Sequence, residues 1–176
     1  QGVDGDSIPT SSDSRGADLN RNFAFQWGCC GGSSGSQCEE TYRGAAPASE
    51  PEVQAVQAYL QANFPDQRLP GLNEPAPPDA TGVYLDIHSY SELVLWSWGF
   101  TATPAPNATA LTTLGRKFAY FNGYYPEQAI GLYPTDGTTD DFGYGDLGVA
   151  AYTFELGNDF FEECSSFESS VLPTNL

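Results

Sequence analysis

The chain has 176 residues, 40% of them hydrophobic and 14% aromatic, which gives one domain a core and excludes a disordered polymer. Its formal net charge is −17, from 23 acids against six lysines and arginines, a balance that repels phosphate backbones and excludes nucleic acid as an expected partner. No apolar stretch approaches the roughly 20 residues needed to cross a bilayer, so no membrane partner is expected.

Residues 1 to 16 are rich in Gly, Asp and Ser and read as a loop. With no initiator methionine and no signal-peptide pattern, any targeting segment is expected outside the chain. Asn20-Arg21-Asn22 then sets a planar guanidinium beside two amides. That trio can grip a carboxylate in two-pronged fashion, or the arginine can pair with nearby Asp18. Three of four cysteines, Cys29, Cys30 and Cys38, fall in a Gly/Ser loop, and the fourth is Cys164. An even count in a lysine-poor chain without methionine fits disulfides of a secreted protein, with three pairings open. Zinc is the rival use, but Cys-x2-Cys spacing is absent.

Ser49-Glu50-Pro51-Glu52 has the form of a capping box, and Val53, Val56, Leu60 and Phe64 follow helical spacing. A helix is expected over residues 50 to 63, barred from extension by Pro65. A Pro/Asp/Gly connector leads to Val83-Tyr84-Leu85-Asp86-Ile87-His88, whose alternation puts Tyr84, Asp86 and His88 on one strand face. His88 is the only histidine and ends that strand, where a neutral imidazole can bind a metal, move a proton, or serve structure alone. A second apolar run spans Leu93 to Trp98. Asn107-Ala108-Thr109 is a glycosylation sequon. Leu111, Leu114, Phe118 and Phe121 predict a helix that Gly123 ends. Residues 131 to 146 have the composition of a surface loop, in which Tyr133 could swing over a ligand. Gly148 to Leu156 is a last apolar run, and Glu155 at its end is a carboxylate that burial would push toward general-base range. The alternation of helices with buried strands indicates an α/β fold with a largely buried sheet, in a single domain.

Five motifs in order resemble one family: Asp18-Leu19-Asn20-Arg21-Asn22-Phe23; Tyr42-Arg43-Gly44 with Ser49-Glu50-Pro51-Glu52; Ile87-His88-Ser89-Tyr90-Ser91; Leu132-Tyr133; and Thr153-Phe154-Glu155-Leu156. They resemble the zinc metallocarboxypeptidases of the A and B type. The stretch from Trp27 to Ser36 is similar to bacterial, carboxypeptidase T-like members. The resemblance implies a mixed sheet with helices on both faces and hydrolysis of the C-terminal peptide bond. It implies His88 as one zinc ligand, Asn20 and Arg21 as the grip on the substrate's terminal carboxylate, and Tyr133 as the mobile tyrosine. Ser89 and Tyr90 fall beside the ligand among the substrate-binding positions, and Glu155 matches the general base. Asp140, seven residues beyond Tyr133, falls at the base of the side-chain pocket, where an aspartate implies release of Lys or Arg; Asp136 and Asp141 lie close by in the same acidic stretch.

Departures accompany the match. The family's His-x-x-Glu zinc motif is absent, and Arg15 lies too close to Asn20-Arg21 to be its oxyanion arginine. Residues 1–176 are therefore expected to be the C-terminal part of a catalytic domain, incomplete at both ends, with the other zinc ligands upstream and a closing helix after Leu176. The chain alone is expected to be insufficient for activity. The expected partners are peptide or protein C-termini, for a secreted monomer. The competing reading is a non-catalytic fragment or degenerate homologue that binds carboxylates or peptides.

Overall fold

The computed structural model describes residues 16–176, so the expected loop over residues 1 to 16 lies, except for Gly16, outside it. Four strands make one mixed sheet in the order β1-β4-β2-β3: β1 Val83–His88, β2 Leu93–Trp96, β3 Tyr125–Gln128 and β4 Ala150–Glu155. β1 runs parallel to β4, β4 antiparallel to β2, and β2 parallel to β3. The apolar runs became β2 and β4 because both are buried along nearly their whole length. β3 carries Pro126 and little apolar character, which suits an edge strand and hid it from periodicity.

Helices cover both faces. α2, Ala108–Asn122, brings Phe118 edge-on to Tyr152 and Phe154, at 5.2 and 5.5 Å between ring centres. Gly123 ends it at φ 77°, a left-handed cap that suits glycine. α3, Thr139–Leu147, packs on the opposite face, where the Tyr84 hydroxyl lies 3.1 Å from Thr139 Oγ1. α1, Pro51–Asn63, joins it through Val53 and Leu60, which cluster with Phe142, Leu147 and Val149. Helical turns over Cys164–Ser166, Phe167–Val171 and Leu172–Asn175 close the described chain.

Several expectations need correction. The expected surface loop over residues 131 to 146 holds only for its exposed first part, residues 131 to 134; the stretch is buried from Asp136, and from Thr139 on it forms α3, in which every residue but Asp146 is buried. Some of its polar groups find partners inside: Asp141 accepts the Gly99 N–H at 3.0 Å, whereas the buried Thr138 Oγ1 has no hydrogen-bond partner among the described residues. The capping box does not form. α1 starts at Pro51 with no side-chain cap, since the Ser49 hydroxyl turns to the Glu50 carboxylate at 2.7 Å and to Asn22. β1 keeps its alternation, but Val83, Leu85 and Ile87 are exposed at 46, 41 and 55%, while Tyr84, Asp86 and His88 are partly buried. Among the described residues β1 is thus an edge strand whose polar face is the inner one. Cysteine also departs from a two-bridge framework. The sulfurs of Cys29 and Cys30 lie 2.00 Å apart, whereas Cys38 and Cys164 are free and exposed. The sequon Asn107 is a structural clamp, its amide spanning Ala76 N and O (2.8 and 3.1 Å) and the Tyr144 hydroxyl (2.7 Å).

Two buried polar residues hold the connectors in place. Arg68, 4% exposed, donates Nε, Nη1 and Nη2 to the carbonyls of Glu74, Gly145 and Gly71, each at 2.6 Å, between the rings of Trp98 and Tyr144. Asn22, 0% exposed, sends Nδ2 to Arg43 O, Ala46 O and Ser49 Oγ, and accepts Glu50 N–H. Asn22→Ala is expected to lower unfolding stability by about 3 kcal/mol, because it strands several buried partners. Chemical denaturation measures this; a loss below about 1 kcal/mol would show that water takes over these contacts.

Candidate active site

The polar face of β1 and the matching face of β4 end together. Register pairs His88 with Glu155 at the C-terminal ends of two parallel strands, where ligands of open α/β sheets gather. His88 Nε2 lies 2.7 Å from Asp86 Oδ2, two residues back on the same face. A carboxylate accepts, so this contact places the ring proton on Nε2 and leaves the Nδ1 lone pair toward Glu155, whose Oε1 is 4.0 Å away. Burial lowers the His88 pKa, but the Asp86 hydrogen bond and charge, with Glu155 and Asp140, outweigh it and leave it raised. Burial raises the Glu155 carboxyl, and His88 opposes this.

These two groups border a cavity of about 430 Å³. Asn20, Arg21, His88, Ser89, Tyr90, Tyr133, Asp140 and Glu155, the positions singled out in the sequence, all line it. Arg21 is 6% exposed, with Nη1 donating to Asn20 O at 2.7 Å and Nε 3.9 Å from Asp18 Oδ2. Its Nε has no hydrogen-bond partner among the described residues, a cost that an incoming anion would remove. Asn20 Oδ1 accepts the Thr139 N–H at 2.9 Å, which leaves the NH₂ end of its amide to donate. Asn22, by contrast, serves the fold. Tyr133 is half exposed, its ring centre 5.9 Å from the Arg21 guanidinium carbon. Tyr90 meets Phe160 edge-on at 4.8 Å, and Ser89 Oγ donates to Phe160 O at 3.4 Å. Asp140 is 3% exposed, and burial raises its carboxyl, with the nearby Asp86 charge adding to the shift.

The zinc carboxypeptidase family model matches residues 5–171. The chain belongs to the zinc carboxypeptidase family. It is 37% identical to a zinc carboxypeptidase of Saccharothrix mutabilis subsp. capreolus, over 80% of this chain and 31% of that protein. It is 35% identical to carboxypeptidase B of Bos taurus, over 96% of this chain and 38% of that one. Among solved structures it resembles bovine thrombin-activatable fibrinolysis inhibitor in complex with tick carboxypeptidase inhibitor. The TM-score is 0.73 at 27% identity, covering 96% of this chain and 56% of the other. The chain thus spans about a third of the length of these curated relatives.

Family membership implies zinc, and His88 fits as a ligand because its second nitrogen is held by Asp86, as metal-binding imidazoles are commonly held. No group of three His, Cys, Asp or Glu side chains able to hold a metal exists among the described residues. Asp86 is the contributor that sequence reading missed. Its signal was there: a carboxylate two residues before the histidine shares its strand face. No helix of the described chain is long and apolar enough to cross a membrane.

Proposed function

We propose that this chain supplies the substrate-binding half and the general base of a zinc carboxypeptidase that releases C-terminal lysine or arginine. What carries the reading is the single cavity that joins the Glu155–His88 pair to a buried aspartate and to a buried arginine whose Nε has no hydrogen-bond partner among the described residues. In this reading residues 1–176 are part of a larger catalytic domain, whose other zinc ligands lie outside them. Zinc, held by His88 and those ligands, supplies Lewis-acid polarisation of the scissile carbonyl and acidification of water. Arg21 and the Asn20 amide bind the terminal carboxylate, and this restricts cleavage to the last residue. Tyr133 closes over the bound residue, while Ser89 and Tyr90 border the peptide. Asp140 faces the cationic side chain. Glu155 accepts a proton from the attacking water and delivers it to the leaving amine. The adjacent cysteine pair and the scarcity of lysine favour an oxidising, extracellular setting.

The test uses the zinc-loaded enzyme carrying this chain and paired peptides ending in arginine, one with a free carboxylate and one amidated. Release of arginine from the free acid alone is expected, as is its loss to a chelator. Equal cleavage of both peptides would remove the carboxylate clamp from the reading. Selective binding of the free acid without turnover would favour a non-catalytic binding module.

A further inference from the structure

Tyr133 and Asp140 sit at the two ends of one short segment, and its middle is anchored by a buried carboxylate outside the cavity lining. Asp136 is 0% exposed. Its Oδ2 accepts the backbone N–H groups of Cys30 and Gly32, each at 3.0 Å, and its Oδ1 accepts the Ser33 hydroxyl. No cation pairs with it among the described residues, so the cysteine–glycine–serine loop is its whole cradle. The fit is close: a Cβ on Gly32 would lie 2.3 Å from the Thr135 carbonyl carbon. Further bonds clamp the segment on either side. Thr135 N–H donates to Gly99 O at 3.0 Å, Phe23 N–H to Gly137 O at 2.9 Å, and Thr139 N–H to Asn20 Oδ1 at 2.9 Å.

We propose that Asp136 is a positioning residue for substrate selection, fixing the backbone from which Tyr133 and Asp140 reach the cavity and joining it to the Cys29–Ser33 loop. This rests on the proposed roles of Tyr133 and Asp140. It adds a residue that touches no substrate and a loop that lies behind the site. A buried acceptor of three donors defines its own position, and through the short chain on either side it sets the depth of Asp140.

The experiment measures calorimetric affinity of the enzyme carrying this chain for three short peptides: one ending in free arginine, its amide, and one ending in free leucine. Asp136→Ala is expected to reduce the arginine-over-leucine ratio about tenfold, because small misplacements of a recognition group are costly. Asp136→Asn is expected to keep that ratio within about threefold: its amide oxygen can take the two N–H donors while its NH₂ donates to Ser33 Oγ, whose hydroxyl rotates. A general loss of folding lowers both affinities together and leaves the ratio alone, so the ratio reads positioning. Should Asp136→Ala not fold, Gly32→Ala, which presses on Thr135, is expected to lower the same ratio. An unchanged ratio in the folded variant, or an Asn variant as impaired as the Ala variant, would overturn the proposal. If the unaltered enzyme fails to prefer the free acid to its amide, the carboxylate clamp is what fails. If it prefers the acid but shows no preference for arginine, the Asp140 role fails and this proposal with it.

Discussion

Glu155→Gln in the zinc-loaded enzyme is expected to lower kcat by about 10²–10⁴-fold or more, with peptide affinity nearly unchanged. The amide keeps the shape of the side chain at the end of β4 but cannot accept a proton from water. The position explains why the loss should be confined to turnover. Glu155 is 8% exposed and held in register opposite His88, so the isosteric substitution leaves the ladder and the shape of the cavity alone. Single-turnover kinetics alongside equilibrium binding separate the two effects. Substantial turnover by the Gln variant would remove Glu155 from the role of base, whatever its effect on binding.

Asp140→Ala is expected to collapse the preference for C-terminal lysine and arginine, by about the 2–5 kcal/mol typical of breaking a buried charge pair. Asp140 is 3% exposed and burial raises its carboxyl, so a cationic side chain entering the cavity would oppose that shift, favour the ionised form and gain a strong partner. The acidic surface is expected to add a separate and weaker attraction, which salt screens first. Assays of peptides differing only in their last residue, at low and high ionic strength, distinguish the two. A preference that survives high salt in the parent and disappears in the variant assigns it to the cavity. Faster release of phenylalanine or leucine than of arginine at every salt concentration would refute the pocket assignment and leave family membership untouched.

Much of this arrangement was legible in residue order, and the exceptions share a physical cause. β2 and β4 were visible because they are continuous apolar runs, and α2 because Leu111, Leu114, Phe118 and the Gly123 cap repeat at helical spacing. α3 was hidden, since Thr139, Asp140, Asp141 and Gly143 look solvent-facing by composition and are buried only by the neighbours the fold brings, with Asp141 accepting the Gly99 N–H. The same holds for Arg68 and Asn22, polar residues whose partners are distant backbone carbonyls. β1 showed its alternation but not its orientation: its apolar residues face outward, and its polar residues face the site. Local pattern reports which side chains share a face. Which face is inner depends on neighbours that pattern does not contain.

The pairing of His88 with Glu155 across two parallel strands gives the site a division of labour. The groups assigned to proton transfer and metal binding are held by backbone ladders, and a slip of one residue would turn either side chain to the wrong face. The groups assigned to selecting the substrate, Tyr133 and Asp140, hang instead on a connector and a helix start held by side-chain bonds. Under the proposed roles, exchange of residues 133–140 is therefore the natural route to a new preference for the released residue, while the strands assigned to the chemistry stay as they are.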